Sequence, residues 1–462
     1  MKLELHPDAA RNFNEIAHGL CLRLAPIPQD YGQTSETPFV PDISTMEING
    51  KDIEGEVELG MVDYVGKEVA KFFRHGDRFI GLHEENFEGL LVLSQRMQRT
   101  GPLSTTVSID FLKNAIFDWM RDRYKGATQT PMTEYVIGRC EREIGEQEIW
   151  IPIAMLHIQE EVSIGRITLR TITREMIDGW QQDAISRNPE NKDKYQAFFG
   201  RERKELQGLA AATIKVYAEP HRAREIAFEE AEKAIALLRI FHPGNIAPEV
   251  RSYWAVLGTE NLETRKHVLV RDSNILQINH RFVDRTPQFR LLNSSVLSLF
   301  RKAGLDILSD LLKRDQMTKF QETLVHALLR YSESVASRGL ENKLVSIFVA
   351  LEMALLKADD PRIQRVIAER MAIFLGTSLK ERKAILRSVI NGYGLRSKFI
   401  HHGYVIEKRD MEGLKEFLAY AWRFFHLLIT NAYHFEDKQA LIEAIEDAKL
   451  AGGLPKHSGG RC

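Results

Sequence analysis

From Leu291 to Leu450 apolar residues recur at three- and four-residue spacing in nearly every window, the period of amphipathic helices. The spacing predicts helices at about 293–313, 316–337, 341–357, 361–375, 379–391, 411–433 and 436–450. Asp360 before Pro361, and Thr377 with Ser378 before Lys380 and Glu381, have the residue types that start helices. Before Leu291 the pattern is mixed. "TEYVIGRC", "EIWIPIAMLHI" and "GRITLRTI" are rich in β-branched and aromatic residues and predict strands sharing one sheet. "SIDFLKNAIFDWMRDRYKG" predicts a helix closed by Gly126.

Further along, "AAATIKVYAEPHRAREIAFEEAEKAIALLRIF" reads as a strand leading into a helix that "HPGN" stops. "SYWAVLGT" and "KHVLVRDS" add short strands, and "NHRFVDRTPQFRLL" reads as a linker or surface loop. The expected fold class is therefore α+β: a mixed α/β region over 1–290, with a possible internal boundary near 210, an all-helical bundle over 291–450 and a tail over 451–462.

Composition narrows the partners. Hydrophobic residues at 44% and charged residues at 27% suit a folded globular chain rather than a disordered one. Lysine and arginine (63) balance aspartate and glutamate (64), so any site for a polyanion must be local. Cys21, Cys140 and Cys462 are too few and too scattered for a disulfide framework or a cysteine zinc site, which fits a reducing cytoplasm. The start "MKLELHPDAARNF" lacks a signal-peptide pattern, and no apolar run reaches membrane-spanning length; neither secretion nor a membrane partner is expected.

Candidate chemistry concentrates in "NGYGLRSKFIHHGYV", residues 391–405. Gly392 and Gly394 are expected to relax the chain and Gly403 to end a turn. Arg396 offers a fork of donors suited to phosphate, and His401 or His402 can move a proton near neutral pH. Such groups can cleave RNA without metal or cofactor: a ribose 2′-hydroxyl attacks phosphorus, an imidazole moves the proton and a guanidinium meets the charge on the phosphorane. Positions five apart on a helix point about 140° apart, so Arg396 and His401 come together only if the segment is partly non-helical or if two chains meet across a twofold axis. The dimer is the favoured solution. A basic helix end that meets water and helix dipoles is the ordinary alternative.

Read from Leu344, "LVSIFVALEMALL", "AERMAIFLG" and "NGYGLRSKFIHHG" together resemble the HEPN superfamily, and most of all its Apea-like branch, over about residues 315–440. The resemblance rests on an arginine, a polar residue and a histidine within the permitted spacing: Arg396, Ser397 and His401, with His402 also admissible. It implies a helical, dimerising, metal-independent endoribonuclease of toxin or phage-defence systems. In this reading Glu352 orients an imidazole or Arg396, and Ser397, Lys398 and Tyr393 meet the RNA substrate. Residues 1–290 would sense a trigger, a ligand or a phage protein, and restrain the nuclease. A non-catalytic RNA- or protein-binding dimerisation module is the alternative.

Other polar clusters read as ordinary structure. "FFRHGDRF" is expected to be a surface turn, and "LHEENFEG" lacks the second histidine of a zincin helix. His157 is expected to be hydrogen-bonded within a strand, Arg370 to be ion-paired, and the aromatics of "YAWRFFHLLITNAYHF" to be core.

Overall fold

The computed structural model describes residues 3–27, 58–63, 65–101, 103–258, 265–272, 275–282, 290–358 and 360–451. The expected tail, save for Ala451, and residues 283–289 of the expected "NHRFVDRTPQFRLL" loop lie outside these residues, while its two ends, 279–282 and Arg290–Leu292, are not loop but strand. The described chain is α+β, and the strands end at Leu292, where the change in pattern predicted they would.

The chain divides into two compact units: Met1–Ile149 with Lys215–Ile226 form one, and Trp150–Ile214 with Ala227–Cys462 the other. The change of unit between Ile214 and Lys215 lies within the strand that Ala210 opens.

In the first unit, α1 (Pro7–Cys21) precedes β1 (Ala25–Pro26), β2 (Glu58–Val62), β3 (Glu68–His75) and β4 (Arg78–His83), an antiparallel sheet in the order β1-β4-β3-β2. Gly76, at φ +59°, makes the β3–β4 turn, so residues 74–78 of "FFRHGDRF" form an exposed hairpin tip, while Phe72 and Phe73 before it are buried. Helices α2 (Glu84–Gln98), α3 (Leu103–Thr106), α4 (Ile109–Tyr124) and α5 (Met132–Glu143) follow. Ser108 Oγ accepts from the amide of Phe111 to start α4, and Gly126 at φ +74° closes it as expected. "TEYVIGRC" is not a strand but most of α5. Its residues Met132, Val136 and Cys140 recur every four positions and are all buried, so packing of one helical face overrides the β-leaning side chains. Phe73, Leu82, Phe87, Leu90, Phe117 and Met120 lie at the centre of this unit's core.

The second unit takes in most of a five-stranded sheet, ordered β10-β5-β9-β8-β7, from β5 (Gly145–Ala154), β7 (Val162–Ile164), β8 (Ile167–Thr171), β9 (Ala210–Ala218) and β10 (Ala255–Val256). The short strand β6 (Leu156–Ile158) is outside that sheet and pairs in parallel with β13 (Arg290–Leu292), while β11 (Arg265–Asp272) and β12 (Ile275–Phe282) form a separate hairpin. The three runs expected to share one sheet are thus distributed between this sheet, the β6–β13 pair and α5. His157 lies in β6, its Nδ1 2.6 Å from the carbonyl oxygen of Gly208, the hydrogen-bonded strand residue anticipated. Helices α6 (Arg174–Arg187), α7 (Lys192–Leu206) and α8 (Pro220–Leu238) occupy the remaining middle of the chain.

After Leu292 come α9 (Ser294–Lys302), α10 (Leu305–Leu312), α11 (Lys319–Ala336), α12 (Leu340–Leu355), α13 (Ile363–Leu375), α14 (Leu379–His402), α15 (Met411–Thr430) and α16 (Lys438–Leu450). The helix expected at 293–313 is two, because Gly304 sits at φ +105° against the side chain of Ile429. Asp360 does not cap α13; its carboxylate takes the amide of Lys357 and the guanidinium of Arg370 instead. Phe348 stacks on Phe417 at 4.8 Å and Tyr331 on Phe425 at 4.2 Å; in the run expected to be core, Phe424 and Phe425 are buried, Tyr420, Trp422 and Phe435 are half-buried and Tyr433 is exposed.

Candidate functional site

The site is built on α14. Ser378 caps its start by accepting from the amide of Glu381, while Glu381 accepts from the amide and hydroxyl of Thr377 and from Arg423 at 2.6 Å. Burial acts to raise the Glu381 carboxyl, yet the donors from Arg423 and Thr377 prevail and hold it down at about 2. This end of the helix is firmly tied.

The far end is where the sequence expectation is corrected. The helix does not relax at Gly392 or Gly394 but runs unbroken to His402, eleven residues beyond the expected end at 391. Gly392 is needed for packing: a Cβ there would lie 2.9 Å from the ring of Phe417. At Gly394 a Cβ would meet nothing within 4 Å. Gly403 ends the helix in the left-handed region at φ +62°, donating to the carbonyl of Phe399, as a glycine cap does. The loop beyond is held by the amide of Ile406 donating to Glu341 at the start of α12, and by Tyr404 donating to Asp410.

Helical geometry through the motif decides which residues meet. Arg396 is half-buried on the side of α14 facing α12: its Nη2 lies 3.9 Å from Glu352 Oε1, and its Nη1 donates to the Tyr393 hydroxyl at 3.4 Å. The guanidinium also lies 5.2 Å from the centre of the Tyr393 ring, which packs edge-on against Phe348. Its Nε is buried with no hydrogen-bond partner. Burial raises the Glu352 carboxyl, and the facing Arg396 offsets part of that rise. Of the two roles open to Glu352, its contact is therefore with Arg396.

His401 and His402 are exposed, their ring centres 6.4 Å apart. On an unbroken helix they point about 140° and 120° away from Arg396, so one chain does not bring guanidinium and imidazole together. Lys398 is exposed with its ammonium 5.5 Å from the centre of the Tyr404 ring, Ser397 is half-buried beside Arg396 in sequence, and Tyr393 supports Arg396. The seven candidates thus separate into a bundle-facing set, Glu352, Tyr393 and Arg396, and a solvent-facing set, Lys398, His401 and His402, with Ser397 between.

Arg370, on the neighbouring α13, differs in kind. It is buried and bonded to the carbonyl of Leu355, to both oxygens of Asp360 and to Glu446 at 2.9 Å, the ion-paired residue expected. Sequence reasoning missed the exposed cations upstream in α14, Lys380, Lys383 and Arg387, whose three- and four-residue spacing was the available signal.

Among the described residues no group of three His, Cys, Asp or Glu side chains could hold a metal ion, and no helix is long and apolar enough to cross a membrane. No family model, curated protein or solved structure matches the chain.

Proposed function

We propose that this chain is a metal-independent endoribonuclease of the HEPN type, whose reaction centre combines Arg396 of one chain with His401 or His402 of a second. The observation that carries the reading is the state of Arg396. It is a half-buried cation with one carboxylate at 3.9 Å, a buried unpartnered Nε, and donors left over for a phosphate. Two exposed imidazoles on the other side of the same helix are what a twofold axis would supply to a neighbouring arginine.

In such a centre the imidazole takes the proton of a ribose 2′-hydroxyl as the oxygen attacks the adjacent phosphorus. Arg396 meets the charge that builds on the non-bridging oxygens, and the 5′-oxygen leaves with a proton, giving a cyclic phosphate and a free 5′-hydroxyl. Glu352 and Tyr393 position the guanidinium. The sheet-bearing N-terminal region senses or restrains, in phage defence or toxin-like growth arrest in the cytoplasm.

The test is cleavage of labelled RNA by the purified full chain in EDTA, beside Arg396→Ala, His401→Ala and His402→Ala. The reading expects cleavage with a cyclic-phosphate end, lost with Arg396→Ala and with one of the histidine variants. Equal cleavage by all four proteins would overturn it. RNA binding without cleavage by any of them would favour the non-catalytic module.

A further inference from the structure

Every exposed residue of α14 between Lys380 and Lys398 is basic or amide: Lys380, Lys383, Arg387, Asn391 and Lys398. At ~100° per residue these five fall within about 80° of one another, a single row about 27 Å long. The row is open, since Gly394, which lies on it, has nothing within 4 Å of where a Cβ would be. It carries no acid, and among the described residues none of its four cations is ion-paired; Arg387 Nε donates only to the carbonyl of Lys383. Other helices of the bundle differ. The exposed row of α11 is Lys319, Glu322, His326, Arg330 and Glu333, mixed in sign and closed by an Arg330–Glu333 pair at 2.8 Å.

Lys380, Lys383 and Arg387, at three- and four-residue intervals with no ion-pairing carboxylate among the described residues, repel one another, so this part of the row costs folding energy in the free chain and gains from a ligand of repeated negative charge. Lys398 at the far end is near enough to Asp410 to help the amide of Glu407 hold that carboxyl down. The row ends at His401 and His402, beside Ile400, 46% exposed, and Val405, 69% exposed, which offer apolar surface next to the last cation. A single strand presents both things this surface fits, a run of phosphates and unstacked bases. An A-form duplex keeps its bases stacked inside.

We infer that the solvent face of α14 is a track for the phosphates of single-stranded RNA, along which Lys380, Lys383, Arg387 and Lys398 lead the strand to the histidine pair. The inference rests on the nuclease reading for the identity of its ligand but not for its binding.

The test therefore measures binding on a chain that carries His401→Ala and His402→Ala, by fluorescence anisotropy of a labelled single-stranded oligouridylate of about 20 nucleotides. Each neutralised phosphate contributes ~0.7 to the slope of log K against log salt for a single strand, so adding Lys380→Gln, Lys383→Gln and Arg387→Gln is expected to reduce that slope by about 2. The melting temperature should hold, which shows that the variant folds. An unchanged slope overturns the track, as does the absence of binding by the parent at low salt. An equal loss for labelled polyglutamate or for duplex RNA also overturns it, because the row would then be a general polyanion surface. If the slope falls as expected while the wild-type chain cleaves no RNA, the track stands and the nuclease reading fails; cleavage with an unchanged slope has the opposite meaning.

Discussion

Arg370 and Arg396 lie on consecutive helices of one bundle and have opposite surroundings. Arg370 is saturated by Asp360, Glu446 and a backbone carbonyl, whereas Arg396 has a distant carboxylate, a tyrosine and a buried Nε with no partner. A guanidinium that completes its bonds inside the fold stabilises it and has nothing left for a ligand. One that is half-satisfied contributes little to stability and keeps donors for a phosphate.

That contrast breaks most readily by mutation. Arg370→Ala leaves the Asp360 and Glu446 carboxylates without their shared partner, and unfolding in urea should show a loss of about 3 kcal/mol. Arg396→Ala should cost less than about 1 kcal/mol in the same experiment, yet lower RNA cleavage by roughly 100-fold or more, as removal of a charge-stabilising donor does. Similar stability losses for both would remove the distinction.

His426 sharpens the picture of the bundle interior. It is buried, its Nδ1 2.8 Å from the carbonyl of Ala303 and its Nε2 without a partner, and burial pushes it down to about 4 despite that bond. The folded protein therefore keeps the ring neutral at a pH where the unfolded chain, with a value near 6.5, binds a proton. Its share of stability is intact above about 6.5, declines as pH falls and is fully lost by about 4, roughly 3 kcal/mol in all. His426→Phe should flatten the stability profile in that window; an unaltered slope would mean the ring is protonated in the fold.

The two glycines of α14 form a smaller pair. Gly392→Ala should lose about 1–3 kcal/mol against the Phe417 ring, and Gly394→Ala should gain up to about 1 kcal/mol in melting experiments, because it only improves the helix. A hinge at these positions would instead make both substitutions alter cleavage. Smallest of all, Glu352→Gln should leave stability within about 0.5 kcal/mol and reduce cleavage only a few-fold, since its carboxyl is already raised by burial and lies 3.9 Å from Arg396.

The sequence was legible where a local signal decides the outcome. Gly126 and Ser378 mark helix ends that the structure has, and Phe424 and Phe425 follow helical spacing into the core. It misled where a distant contact decides. "TEYVIGRC" has strand-forming residues but a helical burial period, Gly304 breaks a helix against Ile429, and Gly392 keeps one whole by making room for Phe417. In the candidate site the residue types were readable, but their division between two faces of α14 depends on that helix being continuous, which Gly392 and Gly394 concealed.

A mixing experiment tests the central claim most directly. Arg396→Ala chains and chains with both His401→Ala and His402→Ala are each expected to be inactive on RNA. Mixed in equal amounts and allowed to exchange, half the dimers pair one of each, with one intact centre of two, so activity should return to about a quarter of wild type. If the mixture stays as inactive as its components although hybrid dimers form, Arg396 and the histidines do not act across two chains.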